Sequence, residues 1–254
     1  MNVGLCTLSA SDRPVEEVLE LAAAAGYDGV EIWGRDHVGD GSAERCGRIV
    51  DAAADLGLEI PTYGSYLRCG ADAFEEEVER EVTIADRLGA DRIRVWAGRQ
   101  EFGDHDEDHW TAVVTDLATV TERAGETGVE VTVEKHANTL TNDREGARRV
   151  IEAVDDERCR LNYQPGFALP ADEIAREATE FASLSSQLHL QAKAEPDAES
   201  RSPLAEAYYD LEAVLEPFLE RGFDGYANVE FVSGDHPYRE AIAADLETIR
   251  AIVD

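Results

Sequence analysis

Eight short segments rich in aliphatic and aromatic residues recur along the chain at intervals of about 30 residues, separated by amphipathic stretches of helical length. The predicted strands are Val3–Thr7, Gly29–Trp33, Glu59–Tyr63, Arg92–Trp96, Glu130–Glu134, Arg160–Gln164, Gln187–Gln191 and Tyr226–Phe231. Strands alternating with helices read as parallel βαβ units, because parallel neighbours must be joined by a crossover that packs on the sheet. Asp12 ahead of Pro14, Ser42 ahead of Ala43 and Asn142 ahead of Arg144–Val154 supply helix N-terminal signals. Gly26, Gly57, Gly89, Gly128 and Gly222 supply the stops. Eight units fill residues 1–254 with no linker, and no GxGxxG follows the first strand. The expected architecture is therefore one α/β domain, a closed (β/α)8 barrel rather than an open doubly wound sheet.

Side chains alternate across a strand, so the phase of the apolar residues tells which face meets the helices. Val30 and Ile32, Ile93 and Val95, Val131 and Val133, Leu161 and Tyr163, Leu188 and Leu190, and Val229 and Phe231 share that outward phase. The opposite phase should line the barrel, and it reads Glu31 and Trp33, Arg94 and Trp96, Thr132 and Glu134, Asn162 and Gln164, His189 and Gln191, Asn228 and Glu230. A barrel interior is ordinarily filled by branched apolar side chains, and an uncompensated buried charge is costly. Two accounts fit so polar a lining. One is an internal salt-bridge network, with Arg94 neutralising Glu31 or Glu134. The other is a set of groups from strands five to eight converging on a cation at the carboxyl end, where barrels carry their chemistry.

Composition excludes several classes of function. Fifty-five acidic residues against 23 basic ones give a formal charge of -32, which repels nucleic acid. The acids are spread through helical segments, as at Glu16-Glu17 and Glu75-Glu76-Glu77, a pattern suited to a protein adapted to high salt (halophilic), where self-repulsion is screened. No apolar run approaches the roughly 18 residues that span a bilayer, and the first residues lack the features of a secretory signal, so a cytoplasmic location without membrane partners is expected. Cys6, Cys46, Cys69 and Cys159 form no CxxC pair and read as free thiols.

Several fragments together resemble the xylose isomerase-like TIM barrel superfamily, in particular its sugar phosphate isomerase/epimerase branch. They are Ala-Gly-Tyr-Asp-Gly-Val-Glu-Ile-Trp at 25–33, Ile-Arg-Val-Trp-Ala-Gly at 93–98, Val-Glu-Lys-His-Ala-Asn-Thr-Leu-Thr at 133–141, Leu-Asn-Tyr-Gln-Pro-Gly at 161–166, the His189 strand, and Gly-Tyr-Ala-Asn-Val-Glu-Phe at 225–231. The resemblance implies a divalent metal, Mn2+, Mg2+, Co2+ or Zn2+, held by Glu, Asp, His and Glu; the matching positions are Glu134, Gln164, His189 and Glu230. Gln164 departs from the pattern, since a neutral carbonyl oxygen replaces a carboxylate. The implied chemistry is isomerisation or epimerisation of a small sugar or sugar phosphate, with Glu134 and Glu230 moving a proton on the carbon next to a metal-polarised carbonyl.

Other residues are placed to meet such a substrate. His136 keeps the inward phase just past the fifth strand, and the Glu-x-His spacing recurs in the resembling family; the alternative is a loop histidine bonded to backbone. Lys193 and Arg201, after strand seven, suit an enediolate, carboxylate or phosphate, or are merely solvated. Trp33 and Trp96 suit a wall against the C–H face of a sugar, or plugs of the barrel. Tyr63, Tyr66 and Arg68 are expected in a loop after strand three, from which one of them would reach a ligand. Two rivals stay open, a dehydratase or lyase on the same enolising site and a metal-poor, catalytically silent barrel that binds a small molecule; under any of these readings the chain is free to assemble as a homo-oligomer.

Overall fold

A computed structural model describes residues 1–254. Its elements alternate strictly: β1 (Asn2–Cys6), α1 (Val15–Ala25), β2 (Gly29–Trp33), α2 (Ala43–Asp55), β3 (Glu59–Cys69), α3 (Phe74–Arg87), β4 (Arg92–Ala97), α4 (Glu107–Gly125), β5 (Glu130–Glu134), α5 (Arg144–Val154), β6 (Cys159–Tyr163), α6 (Ala171–Phe181), β7 (Ser185–Leu190), α7 (Leu211–Glu220), β8 (Tyr226–Val229) and α8 (Tyr238–Val253). Each strand pairs in parallel with the next, and β8 closes on β1, so the chain forms a closed (β/α)8 TIM barrel.

The outward strand residues pack beneath the helices as their phase requires: Val30, Ile32, Ile93, Val95, Val131, Val133, Leu161, Tyr163, Leu188, Leu190 and Val229 all belong to one core of 59 buried residues. Phe231 does not. Strand β8 ends two residues earlier than predicted, and Phe231 lies at the mouth with the Arg201 guanidinium 5.2 Å from its ring centre. Strand β3 is longer than predicted and runs to Cys69, because after an irregularity between Gly64 and Arg68 it pairs again with Trp96 and Ala97. Tyr66 and Arg68 are thus strand residues, not loop residues.

Ser42 caps α2 through the Arg45 N–H, as expected. Asp143 caps α5 through the Gly146 N–H, while the predicted Asn142 accepts from Phe102 instead. Asp12 caps nothing, and Pro14 opens α1. Gly26, Gly57, Gly89, Gly128 and Gly222 all have positive φ, the conformation that ends these helices without a Cβ clash. Gly64 serves the interior: a Cβ there would lie 2.7 Å from Glu31 Oε1 and 2.9 Å from Arg94 Nη2. Strand β3 therefore leaves room for a neighbour's ion pair.

Candidate active site

Charge in the barrel interior is organised around Arg94. Its guanidinium lies between two fully buried carboxylates, with Nε 3.1 Å from Glu31 Oε1 and Nη1 bonded to Glu134 Oε2. Glu31 Oε2 also takes His189 Nε2 at 2.6 Å, Gln187 Nε2 at 2.6 Å and Asn228 Nδ2 at 3.2 Å. Burial raises the proton affinity of both carboxyls, but His189 and Arg94 outweigh it at Glu31, and Arg94 and then His189 outweigh it at Glu134. Both are held below the usual carboxylate range. The internal salt-bridge account is thus correct for Glu31 and Arg94, and the network reaches into the group at the strand ends.

Glu134, at the end of β5, and Glu230, just past β8, face each other across the mouth. His189 lies beneath them, with Nδ1 3.8 Å from Glu134 Oε1 and 3.5 Å from Glu230 Oε1. Burial alone would lower the imidazole's proton affinity, but Glu31 and Glu230 overcome it and lift the pKa to about 10. One donor atom from each of Glu134, His189 and Glu230 falls within 4.8 Å of the others. His189 Nδ1 is buried without a hydrogen-bond partner, while Nε2 is oriented by Glu31. A carboxylate behind an imidazole that faces two further carboxylates is a donor set that suits a divalent ion. Cys6, Glu31 and His189 also converge, but Glu31 is already engaged by Arg94, His189, Gln187 and Asn228.

Gln164 reaches this ring but does not present its carbonyl. Its Nε2 donates to Glu134 Oε1 at 3.1 Å and to the Lys135 carbonyl at 2.8 Å. Its Oε1 accepts from Gln191 Nε2, which also donates to Glu230 Oε2 at 2.9 Å. In this structure Gln164 therefore turns its N–H groups, not its oxygen, toward Glu134 and the Lys135 carbonyl. Gln191 was legible as an inward residue two past His189, yet nothing in its spacing singled it out as the link to Glu230.

A cavity of about 640 Å³ opens beside the ring, lined by His136, Gln164, Gly166, Phe167, Gln191 and Arg201 among others. His136 stacks on Trp96 with ring centres 5.3 Å apart and bonds Ala137 O through Nδ1 at 2.6 Å. Trp96 donates its indole N–H to Glu134 and carries Arg68 4.0 Å from its ring centre. Trp33 is nearly buried and donates to Tyr66 Oη at 2.8 Å, so Trp33, Tyr66, Trp96 and His136 form a continuous aromatic row along the ends of β2 to β5. Lys193 and Arg201 flank Phe167 at 5.2 and 5.1 Å from its ring centre. Tyr63 is a correction: it takes the outward phase of β3, is 2% exposed, and donates its hydroxyl to Glu81 of α3 at 2.7 Å. Sequence reasoning also missed Lys135 and Glu177, a buried pair 3.1 Å apart in the cavity wall, because Lys135 follows the strand on its outward phase.

Known proteins with this architecture include enzymes. The chain is 25% identical over 170 residues to a 3-dehydroshikimate dehydratase of Bacillus anthracis, covering 64% of this chain and 61% of that protein. It is 30% identical over 150 residues to a 3-dehydroshikimate dehydratase of Pseudomonas putida, covering 55% of this chain and 23% of that protein. The chain thus spans less than two thirds of the length of either relative. Among solved structures, a probable 3-DHS dehydratase of Bacillus anthracis superposes with a TM-score of 0.83 at 19% identity, covering 98% of this chain and 99% of that one. A D-psicose 3-epimerase of Clostridium cellulolyticum superposes with a TM-score of 0.79 at 14% identity over the whole of both chains. No helix is long and apolar enough to cross a membrane. A family profile described as xylose isomerase-like TIM barrel matches residues 19–252, and with the closed barrel this establishes that the chain belongs to the xylose isomerase-like TIM barrel family.

Proposed function

We propose that this chain is an enzyme that removes a proton next to the carbonyl of a small polyhydroxy substrate, with loss of water as the favoured onward step. The observation that carries the reading is the pair of buried carboxylates, Glu134 and Glu230, facing His189 Nδ1 beside the 640 Å³ cavity. Dehydration is favoured over isomerisation or epimerisation because two relatives at 25% and 30% identity are named as dehydratases.

Glu134, His189 and Glu230 would hold a divalent ion, whose chemistry when bound is polarisation of the carbonyl and neutralisation of the developing enediolate. The two carboxylates are not equivalent. Glu134 accepts from Arg94, Trp96 and Gln164, so its lone pairs are largely committed and it stays anionic. Glu230 accepts from Gln191 alone, leaving more of its oxygens for a substrate proton. Glu230 is therefore the base, and Glu134 is the fixed anion opposite it. The aromatic row of Trp33 and Trp96 bounds the substrate on the β2 to β4 side. His136 lies at the cavity wall, where it can protonate a departing hydroxyl, and Lys193 and Arg201 offer positive charge on the far side.

Epimerisation is the second reading, because carboxylates from β5 and β8 on opposite sides of one point suit removal and return of a proton on two faces. One screen separates the outcomes: 3-dehydroshikimate, aldoses, ketoses and their phosphates incubated with Mn2+ or Co2+ in deuterated buffer and followed by mass spectrometry. Loss of one water supports the dehydratase. Deuterium next to the carbonyl without loss of water supports the epimerase. A chain that turns over nothing yet binds one of these compounds is the silent barrel, and the enzymatic reading then fails.

A further inference from the structure

Glu134, Gln164, Gln191 and Glu230 come from the ends of four consecutive strands and are joined side chain to side chain. Chemistry fixes the direction of both amides. Gln164 Nε2 faces only acceptors, the Glu134 carboxylate and the Lys135 carbonyl, so that atom must be the NH2 group. Its oxygen then points at Gln191, which must answer with its own NH2, and that NH2 also meets Glu230 Oε2. The Gln164 oxygen is thus engaged by Gln191, and the edge of the amide that meets the Glu134 carboxylate is its NH2. The one unpartnered acceptor of the amide pair is Gln191 Oε1.

We infer that Gln164 and Gln191 form a neutral clamp that positions the Glu134 and Glu230 carboxylates, and that Gln164 lies outside the coordination sphere of the ion. This rests on the metal-assisted reading above. A carboxylate at position 164 would place a third anion against Glu134 and Glu230, and it could donate to neither. The amides do the reverse: each gives one N–H to a carboxylate and anchors itself with the other, Gln164 on the Lys135 carbonyl and Gln191 on the Gln164 oxygen, without adding charge. Gln164 and Gln191 are thus positioning residues, acting through the two carboxylates.

The test uses Co2+, whose visible spectrum reports its ligands, bound to the wild-type chain and to the Gln164→Met variant at constant high KCl. The clamp predicts an unchanged band shape and an affinity weaker by about 10- to 100-fold, the usual cost of losing a group that orients a ligand. A change in band position or intensity at full occupancy makes Gln164 a ligand and overturns the inference. Melting of the metal-free Gln164→Met, Gln191→Met and double variants supplies an arm independent of the ion. One clamp predicts that the double variant loses less than the sum of the singles, because either change already breaks the Gln164 to Gln191 bond. Additive losses overturn the inference. If the wild-type chain binds no Co2+ while the melting losses are non-additive, the metal-assisted reading fails and the clamp stands.

Discussion

Replacing Arg94 by methionine removes the one fully buried arginine while keeping most of the volume that Gly64 makes room for. Two carboxylates lose a partner at once, Glu31 with its oxygen 3.1 Å from Arg94 Nε, and Glu134 bonded to Nη1. Unit charges at that separation attract by about 5 kcal/mol at an effective dielectric of about 20, and stripping one partner from a buried pair costs about 3–5 kcal/mol in practice. The variant should lose that much stability at pH 7, which for a domain of this size lowers the melting temperature by about 10 °C. The pH dependence has a definite sign. Both carboxyls are held below the usual range in the folded chain, against burial, by Arg94 and His189. Their contribution is present above about pH 4.3, the unfolded value, and fades as pH falls through the lower folded values. The variant lacks most of that contribution, so the two unfolding curves should converge in acid. Urea unfolding at constant KCl from pH 7 down to about pH 2 measures this, and adding Glu134→Gln to the variant should restore about half the loss, since an amide needs no counter-charge. A loss below about 1 kcal/mol, or one that is equal at every pH, would refute the claim that Arg94 holds these anions in place.

Burial lifts the Asp245 carboxyl to about 6, opposed by the Leu204 N–H that donates to it at 2.8 Å. A raised carboxyl pKa means that stability falls as pH rises from about 4 to about 6, so Asp245→Asn, which keeps the acceptor, should stabilise the chain by about 2 kcal/mol at pH 7 and by nothing near pH 4. Trp96→Phe keeps the ring that carries Arg68 and His136 but deletes the N–H donated to Glu134. Once a substrate is known, the acid limb of its pH-rate profile should move up by about one unit, and an unmoved limb removes Trp96 from the charge balance of the site. With a net charge of -32, the midpoint of urea unfolding should rise as KCl is raised toward about 2 M; a midpoint highest in dilute buffer counts against adaptation to salt.

The legibility of this chain follows from what each level of structure depends on. Strand phase is local, so alternation alone placed Glu31, Arg94, Glu134, His189 and Glu230 inside the barrel and Val131, Val133, Leu188 and Leu190 beneath the helices. Tyr63 escaped because the predicted strand Glu59–Tyr63 carries no clear apolar alternation: only the contacts of Thr62 with Gln187 and of Gly64 with Glu31 and Arg94 reveal that those two face in and Tyr63 faces out. Asn142 and Asp143 are adjacent, and which one caps α5 is decided by Phe102, a contact 40 residues away. The amides posed the hardest case. A glutamine can donate or accept, and which it does at a site depends on every neighbour at once. Gln164 reads as an oxygen donor when set beside a metal pattern, but becomes an N–H donor once the Lys135 carbonyl is seen on its other side. Periodicity can thus locate a polar ring, whereas the sense of each hydrogen bond within it depends on a backbone carbonyl that carries no signature in the sequence. The same distinction bears on function: Glu134 and Glu230 look interchangeable as letters, yet three donors on one and a single donor on the other leave Glu230 the freer to take a proton.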